Sequence, residues 1–335
     1  MKKLSINGMS EYLSKLIDSN IQSSLMIWGP PGIGKSAIVS MVAKEKKIDL
    51  IDLRISQLAP TDLRGLPVPE DNKAKWYPPE FLPTSGKGIL FLDEINMAPP
   101  AIQGIAQQLI LDRKVGSYQV PDGWFIWGAG NRKEDFAAVF DMPAPLANRF
   151  IHLEATTTLK DFKAYAIKNS FNDQIISFLN FRPTLLHKLN KDSPAWPSPR
   201  SWEIANMLLS AKLAIDPAVG DSAASEFRSF IKIYKTLPDI EPILNGNFKA
   251  KFPEDLSAKY ALTCALALRS ETVQHVENAF MYLDKKGELE WLTQCAYDVS
   301  IAWQQKKDFN KLLDMIIENP KLIKVAETIQ KLMAA

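Results

Sequence analysis

Between Leu25 and Val39 the chain reads LMIWGPPGIGKSAIV: an apolar run, a turn of glycine and proline, then Lys-Ser leading into a second apolar pattern. Few backbones satisfy all three parts in that order. The short apolar run bounded by a turn is a buried strand, and Ile38, Val39, Val42 and Ala43 recur at helical spacing. The turn, Gly29-Pro30-Pro31-Gly32-Ile33-Gly34-Lys35-Ser36, fits the pattern G-x-x-x-x-G-K-[ST]. Glycines let the backbone close around phosphate oxygens where a Cβ would clash. Successive N–H groups then form a nest for anions, completed by the positive end of the following helix. Residues Gly29 to Ala37 are therefore expected to cradle the phosphates of ATP, with Lys35 reaching the β- and γ-phosphates and Ser36 holding Mg2+.

The first half of the chain alternates. Strands are expected at 24–28, 48–55, 88–92, 124–130 and 150–155, with helices at 36–47 and 101–113. This alternation predicts an α/β domain over 1–155, a five-stranded parallel sheet with helices on both faces. A proline-rich segment, 57–86, fits neither period, and a long irregular stretch inside a domain is usually functional or disordered. The shorter KVGSYQVPDG (114–123) reads as a hairpin. Beyond residue 155 helical periodicity takes over: a helical lid is expected over 156–235 and a C-terminal helical block over 236–335.

A phosphate loop needs a second strand to complete its metal site, and ILFLDEIN supplies one. Asp93 is placed to hold Mg2+ and Glu94 to polarise the attacking water. A carboxylate dedicated to water favours a hydrolase over a small-molecule kinase, whose acceptor is a substrate hydroxyl.

With these parts the chain resembles AAA+ ATPases, and within them the MoxR group. DEINMAPP (93–100) is close to that group's DEINRAPP, with Met97 where arginine is usual; DLRGLP (62–67), GAGNR (128–132), PLANRF (145–150) and SPRSW (198–202) fall where the family has related segments. The likeness covers roughly residues 20–215. It implies that Asn131 sits beside Glu94 and orients water, although the family more often has TxNP where this chain has GAGNR. It implies that Arg149 reaches the γ-phosphate held by a neighbouring subunit, with Arg132 as the rival for that role, and that Arg200 reaches from the lid onto the nucleotide of its own subunit. It further implies an ATPase that assembles into a ring, expected as a hexamer, and works on protein clients as a chaperone-like remodeller, in some members with a partner bearing a von Willebrand factor A-type domain. A nucleic-acid motor on the same core, or an ATP-dependent switch with little turnover, are the alternatives.

The bulk composition narrows these. Forty basic residues against 38 acidic ones, a net charge of +2, give no global case for nucleic acid or an anionic membrane. No apolar run is long enough to span a bilayer, and no apolar stretch follows Lys2-Lys3 as a secretion signal requires. Cys264 and Cys295 lack metal or redox spacing and read as buried apolar residues, which suits a cytoplasmic protein. His152, His187 and His275 are scattered and carry no metal expectation. Trp76 and Tyr77 either line a substrate path or clamp their segment onto the domain.

Overall fold

The computed structural model describes residues 1–135, 139–304 and 306–318. It divides into two compact units, Met1–Thr158 and Leu159–Ala335. The strands are β1 (Lys2–Ser5), β2 (Leu25–Trp28), β3 (Asp49–Arg54), β4 (Leu66–Glu70), β5 (Lys73–Tyr77), β6 (Gly88–Asp93), β7 (Lys114–Val115), β8 (Tyr118–Gln119), β9 (Trp124–Gly130) and β10 (Ile151–Thr156). The first unit also holds helices α1 (Ile6–Asp18), α2 (Lys35–Lys46), α3 (Pro60–Arg64), α4 (Pro100–Asp112) and α5 (Ala144–Ala147).

Its central sheet is parallel throughout, in the order β1-β10-β2-β9-β6-β3. The inner strands are apolar because both faces are covered: all of β9 is buried, and so is β6 from Gly88 to Leu92. On one face α1 and α2 contribute Met9, Leu13, Val39 and Val42 against Phe91 and Trp127. On the other, α4 contributes Ile102, Ala106 and Leu109 against Met26, Leu90 and Ile126. The register pairs Trp28 with Gly130 and Gly128 with Leu92, so the C-terminal ends of β2, β9 and β6 finish side by side. That edge of an open α/β sheet is where ligands bind.

The predicted fold class is present, with a sixth strand added at the edge. β1 pairs with β10, and Ser5 then caps α1 by accepting from the Gly8 N–H at 3.2 Å. Lysine suits an exposed edge strand, but Lys-Lys-Leu-Ser offers no apolar pattern to read. The 57–86 segment is also more ordered than its prolines suggested. It holds α3 and an antiparallel hairpin, β4–β5, whose turn residues Asp71 and Asn72 both have positive φ (50° and 60°), as a tight primed turn requires. Pro67 and Pro69 sit in β4 and mask it as a strand. Gly65 enters the hairpin with φ 87°, and a Cβ there would lie 2.1 Å from the Tyr77 carbonyl oxygen, so only glycine fits. The hairpin expected within 114–123 forms as β7–β8. Its Ser117 hydroxyl donates to the Trp76 carbonyl at 2.5 Å, and the Arg64 guanidinium lies 5.6 Å from the Trp76 ring. Trp76 thus clamps the two hairpins together, while Tyr77 is exposed.

The described residues of the second unit are helical, with 319–335 of the expected C-terminal block lying outside them: α6 (Leu159–Lys168), α7 (Asp173–Phe181), α8 (Pro199–Ser210), α9 (Asp216–Val219), α10 (Asp221–Tyr234), α11 (Ile240–Leu244), α12 (Leu256–Leu268), α13 (Val273–Lys285), α14 (Leu289–Trp303) and α15 (Phe309–Glu318). One hydrophobic core runs through it from Phe162 to Ile316, so helices on either side of residue 235 pack together. Phe178 anchors it, with Phe227, Phe230 and Trp202 rings at 5.3, 5.6 and 5.7 Å. Cys264 and Cys295 are buried and unbridged, and burial pushes the Cys264 thiol up to about 12.

Inside this core an ion pair joins Lys163 on α6 to Asp298 on α14, with Gln294 donating to Asp298 Oδ1 at 3.0 Å. Burial pushes the Asp298 carboxyl up, and Lys163 opposes that shift. Removing one partner leaves the other charge stranded in an apolar core. Lys163→Met, with Asp298 intact, is expected to cost about 3–5 kcal/mol of stability, read as the shift in a denaturant unfolding curve.

Candidate functional site

The site grows from the end of β2. After Trp28 the chain turns through Gly29–Gly34 and enters α2 at Lys35. A Cβ on Gly29 would lie 2.8 Å from Ile33 Cδ1 and 2.9 Å from the Ala155 carbonyl, so the loop closes on itself only with glycine there. Gly34 holds the left-handed N-cap position of α2 (φ 95°), and no side chain caps that helix start. The first N–H groups of α2 are left to an anion.

Lys35 is folded into this loop, 9% exposed. Its Nζ donates to the carbonyls of Gly29 (2.8 Å) and Pro30 (3.0 Å) and to Asn131 Oδ1 (2.9 Å). Ser36 Oγ donates to Asp93 Oδ2 at 2.5 Å. Glu94, one residue on, turns the other way because its backbone is left-handed (φ 57°), a conformation costing about 1 kcal/mol for a non-glycine residue. Its Oε2 accepts from Ser56 Oγ at 2.5 Å. The two adjacent carboxylates therefore face separate tasks.

Asn131 follows β9 directly. Its backbone carbonyl accepts from Asn96 Nδ2 at 2.7 Å, and its own Nδ2 lies 3.4 Å from Met97 Sδ. Among the described residues it bonds Lys35 rather than Glu94. Arg132 is committed internally, to Asp135 (2.7 and 2.9 Å) and to Glu154 on β10 (2.6 Å). Arg149, just after α5, is exposed, and its side chain bonds to no described residue. A cavity of about 500 Å³ opens beside Asn131, lined in part by Trp28, Asn96, Arg132, His152 and Glu154. His152 is a packed histidine: Trp28 Nε1 donates to its Nδ1 (2.8 Å), and its Nε2 meets the Ala147 carbonyl (2.6 Å).

Arg200 belongs to the helical unit. Ser198 and Ser201 cap each other's backbone at the start of α8, with Pro199 in the first turn, so the helix begins at SPRS for a clear physical reason. This leaves Arg200 exposed on that turn, its side chain bonded to no other described residue.

The oxygens at Ser36 and Asp93 fit Mg2+, which takes hard oxygen ligands and keeps most of its shell for water and phosphate. Among the described residues there is no group of three or more His, Cys, Asp or Glu side chains that would hold a metal alone. A third carboxylate, Asp52 on β3, stands near this pair. Partial burial pushes its carboxyl above the usual range; Asp93 and, more weakly, Glu94 push it further, while Arg54 opposes. That excess of negative charge suits a cation-binding site.

Asp52, Ser56 and Asn96 were not singled out from the sequence. Asp52 and Ser56 are common residue types with no spacing signature, brought to the site by the strand register; Asn96 lies inside DEINMAPP, but its bond to the Asn131 carbonyl follows from β6 lying beside β9. A carboxyl raised in the fold favours the protonated form, so its contribution is present below the unfolded value and lost as pH rises through the folded one. Asp52→Asn is expected to melt higher than the wild type at pH 7, with the difference vanishing below about pH 4, measured as Tm against pH without nucleotide.

The AAA domain (dynein-related subfamily) matches residues 24–165. That span takes in the phosphate loop, Asp93, Glu94, Asn131 and Arg149. The chain is similar to Midasin from Giardia intestinalis, 26% identical over 161 residues; the alignment takes 45% of this chain and 3% of Midasin, so the chain spans a small fraction of that relative. Similar solved structures include NtrX from Brucella abortus in complex with ADP (16% identity, 84% of this chain and 65% of that one, TM-score 0.43). Another is the RuvB Holliday junction branch migration motor of Thermotoga maritima (18% identity, 83% of this chain and 87% of that one, TM-score 0.37). With a phosphate loop at the end of β2, an acidic pair at the end of β6 and a family match across both, residues 24–165 are an AAA+ ATPase domain.

Proposed function

We propose that this chain is an ATP-hydrolysing motor of MoxR-like type that assembles into a ring, as a hexamer, and remodels or assembles protein clients in the cytoplasm. A partner with a von Willebrand factor A-type domain fits the same reading. The observation that carries the ATPase part is the convergence of Lys35, Asn131, Ser36 and Asp93 through hydrogen bonds of 2.9 and 2.5 Å at one sheet edge. The MoxR assignment rests on DEINMAPP and its companion segments, with three departures: Met97 in place of arginine, and Ala129 and Arg132 where the family more often has threonine and proline.

ATP and water are the substrates, and Mg2+ held at Ser36 and Asp93 supplies charge neutralisation at the phosphates. The loop and the start of α2 bind phosphate through backbone N–H groups. Lys35 exchanges the Asn131 amide oxygen for phosphate oxygens, which frees that amide to orient water. Ser56 holds one oxygen of Glu94, leaving Oε1 to accept a proton from that water. Arg149 is exposed, its side chain bonds to no other described residue, and it reaches the γ-phosphate of a neighbouring subunit; its planar fork suits charge spread over phosphoryl oxygens. Arg200, at the start of α8, senses the nucleotide from the helical unit and passes its state to the client.

Glu94→Gln should still bind ATP while turnover falls by about 100-fold or more, measured as nucleotide binding against phosphate release. Arg149→Ala should assemble with ATP yet not hydrolyse it, read by light-scattering mass beside ATPase rate over a range of protein concentrations. Wild-type activity per subunit that stays constant on dilution to a monomer would overturn the shared-site ring.

A further inference from the structure

Arg132 stands next to Asn131, and its side chain leaves the loop to cross the end of β2. The register sets the distance it covers: Gly130 pairs with Trp28, and Trp28 pairs with Glu154, so Arg132 reaches from β9 to the strand two places away, on the order of 10 Å. There its Nη1 donates to Glu154 Oε1 at 2.6 Å. Nε and Nη2 engage both oxygens of Asp135, and the Arg132 backbone N–H donates to Asp135 Oδ2 at 3.0 Å. One aspartate thus fixes both the main chain and the side chain of this residue.

The two carboxylates are nearly sequestered, Glu154 6% and Asp135 7% exposed. Among the described residues, the further charges paired with the cluster are Glu134, 3.3 Å from Nη1, and Lys3, 3.6 Å from Glu154 Oε1. Buried carboxylates of this kind persist only when paired, and a planar fork with several donors pairs them in fixed directions, as an ammonium cannot. On the other side of Asn131, its carbonyl is tied by Asn96. The backbone at 131–132 is therefore held from both sides, and the amide oxygen is left within 2.9 Å of Lys35 Nζ.

We propose that Arg132 and Glu154 are positioning residues for Asn131: their ion pair, passing over the strand that carries the phosphate loop, sets where the Asn131 amide meets Lys35 and the attacking water. This rests on the ATPase reading above and assigns Arg132 to its own subunit rather than to a neighbour's phosphate. Proline at this place, as in TxNP, would stiffen the chain locally; arginine instead ties it to a distant strand.

The test is steady-state ATPase kinetics with nucleotide affinity measured separately. Arg132→Ala and Glu154→Gln are expected to lower kcat by about tenfold with nucleotide affinity changed less than about twofold, while Glu134→Gln, at the exposed rim, stays near wild type. In an Asn131→Ala background neither change should slow turnover further, because residues acting as a unit are not additive. Arg132→Lys keeps the charge without the fork and should fall between; it also serves if Arg132→Ala does not fold. Losses that simply add in the Asn131→Ala background, or an unchanged kcat in Arg132→Ala, would overturn the positioning role. So would recovery of turnover on mixing Arg132→Ala with Glu94→Gln subunits, which would mean that Arg132 acts across the interface. A wild type that hydrolyses no ATP would instead sink the reading of the site itself.

Discussion

The Lys35 ammonium is bonded by the carbonyls at the start of its own loop and by the amide oxygen of Asn131 from another strand. That contact exists only because β2 and β9 are parallel neighbours in one register, Trp28 beside Gly130. A slip of one residue would turn every side chain of β9 to the other face and carry Asn131 away. The apolar layers on both faces of the sheet hold the register, so the chemistry at the strand ends depends on packing well below it. Trp127 is fully buried on one face and Ile126 on the other. Changes there would reach the site without touching it.

What could be read from the sequence was whatever sits in a local pattern. Gly29 to Ser36 are contiguous, and Asp93 and Glu94 end an apolar strand, so their roles can be argued from residue type and spacing. Ser56 could not be found in that way: it is one serine in a short helical turn after β3, and it meets Glu94 only because β3 lies beside β6. The same holds for Asp52, while Asn96 lies inside DEINMAPP and meets Asn131 because β6 lies beside β9. The two arginines differ in an instructive way. Sequence leaves Arg132 and Arg149 as rivals, whereas the fold ties Arg132 to Asp135 and Glu154 and leaves Arg149 exposed. Ion pairs between residues far apart in the chain carry no local signature.

The helical unit follows the same rule. Its helices were legible from apolar spacing. The joining of α6 to α14 through Lys163 and Asp298 was not, since each residue alone reads as a solvent-facing charge. An ion pair in an apolar core adds little net stability but rejects arrangements that leave either charge unpaired. It ties the first helix of that unit to one more than a hundred residues later.

The β4–β5 hairpin has a consequence of a different kind. It exposes Leu66, Val68 and Tyr77, and a two-stranded ribbon with bare apolar side chains would ordinarily recruit further strands from other molecules. Pro67 and Pro69 have no N–H to give, so the bonds to β5 fall to the alternate residues Leu66, Val68 and Glu70. The free side of β4 is thereby stripped of donors at each outward position. A third strand arriving at that edge finds acceptors only, so the ribbon does not extend on the β4 side.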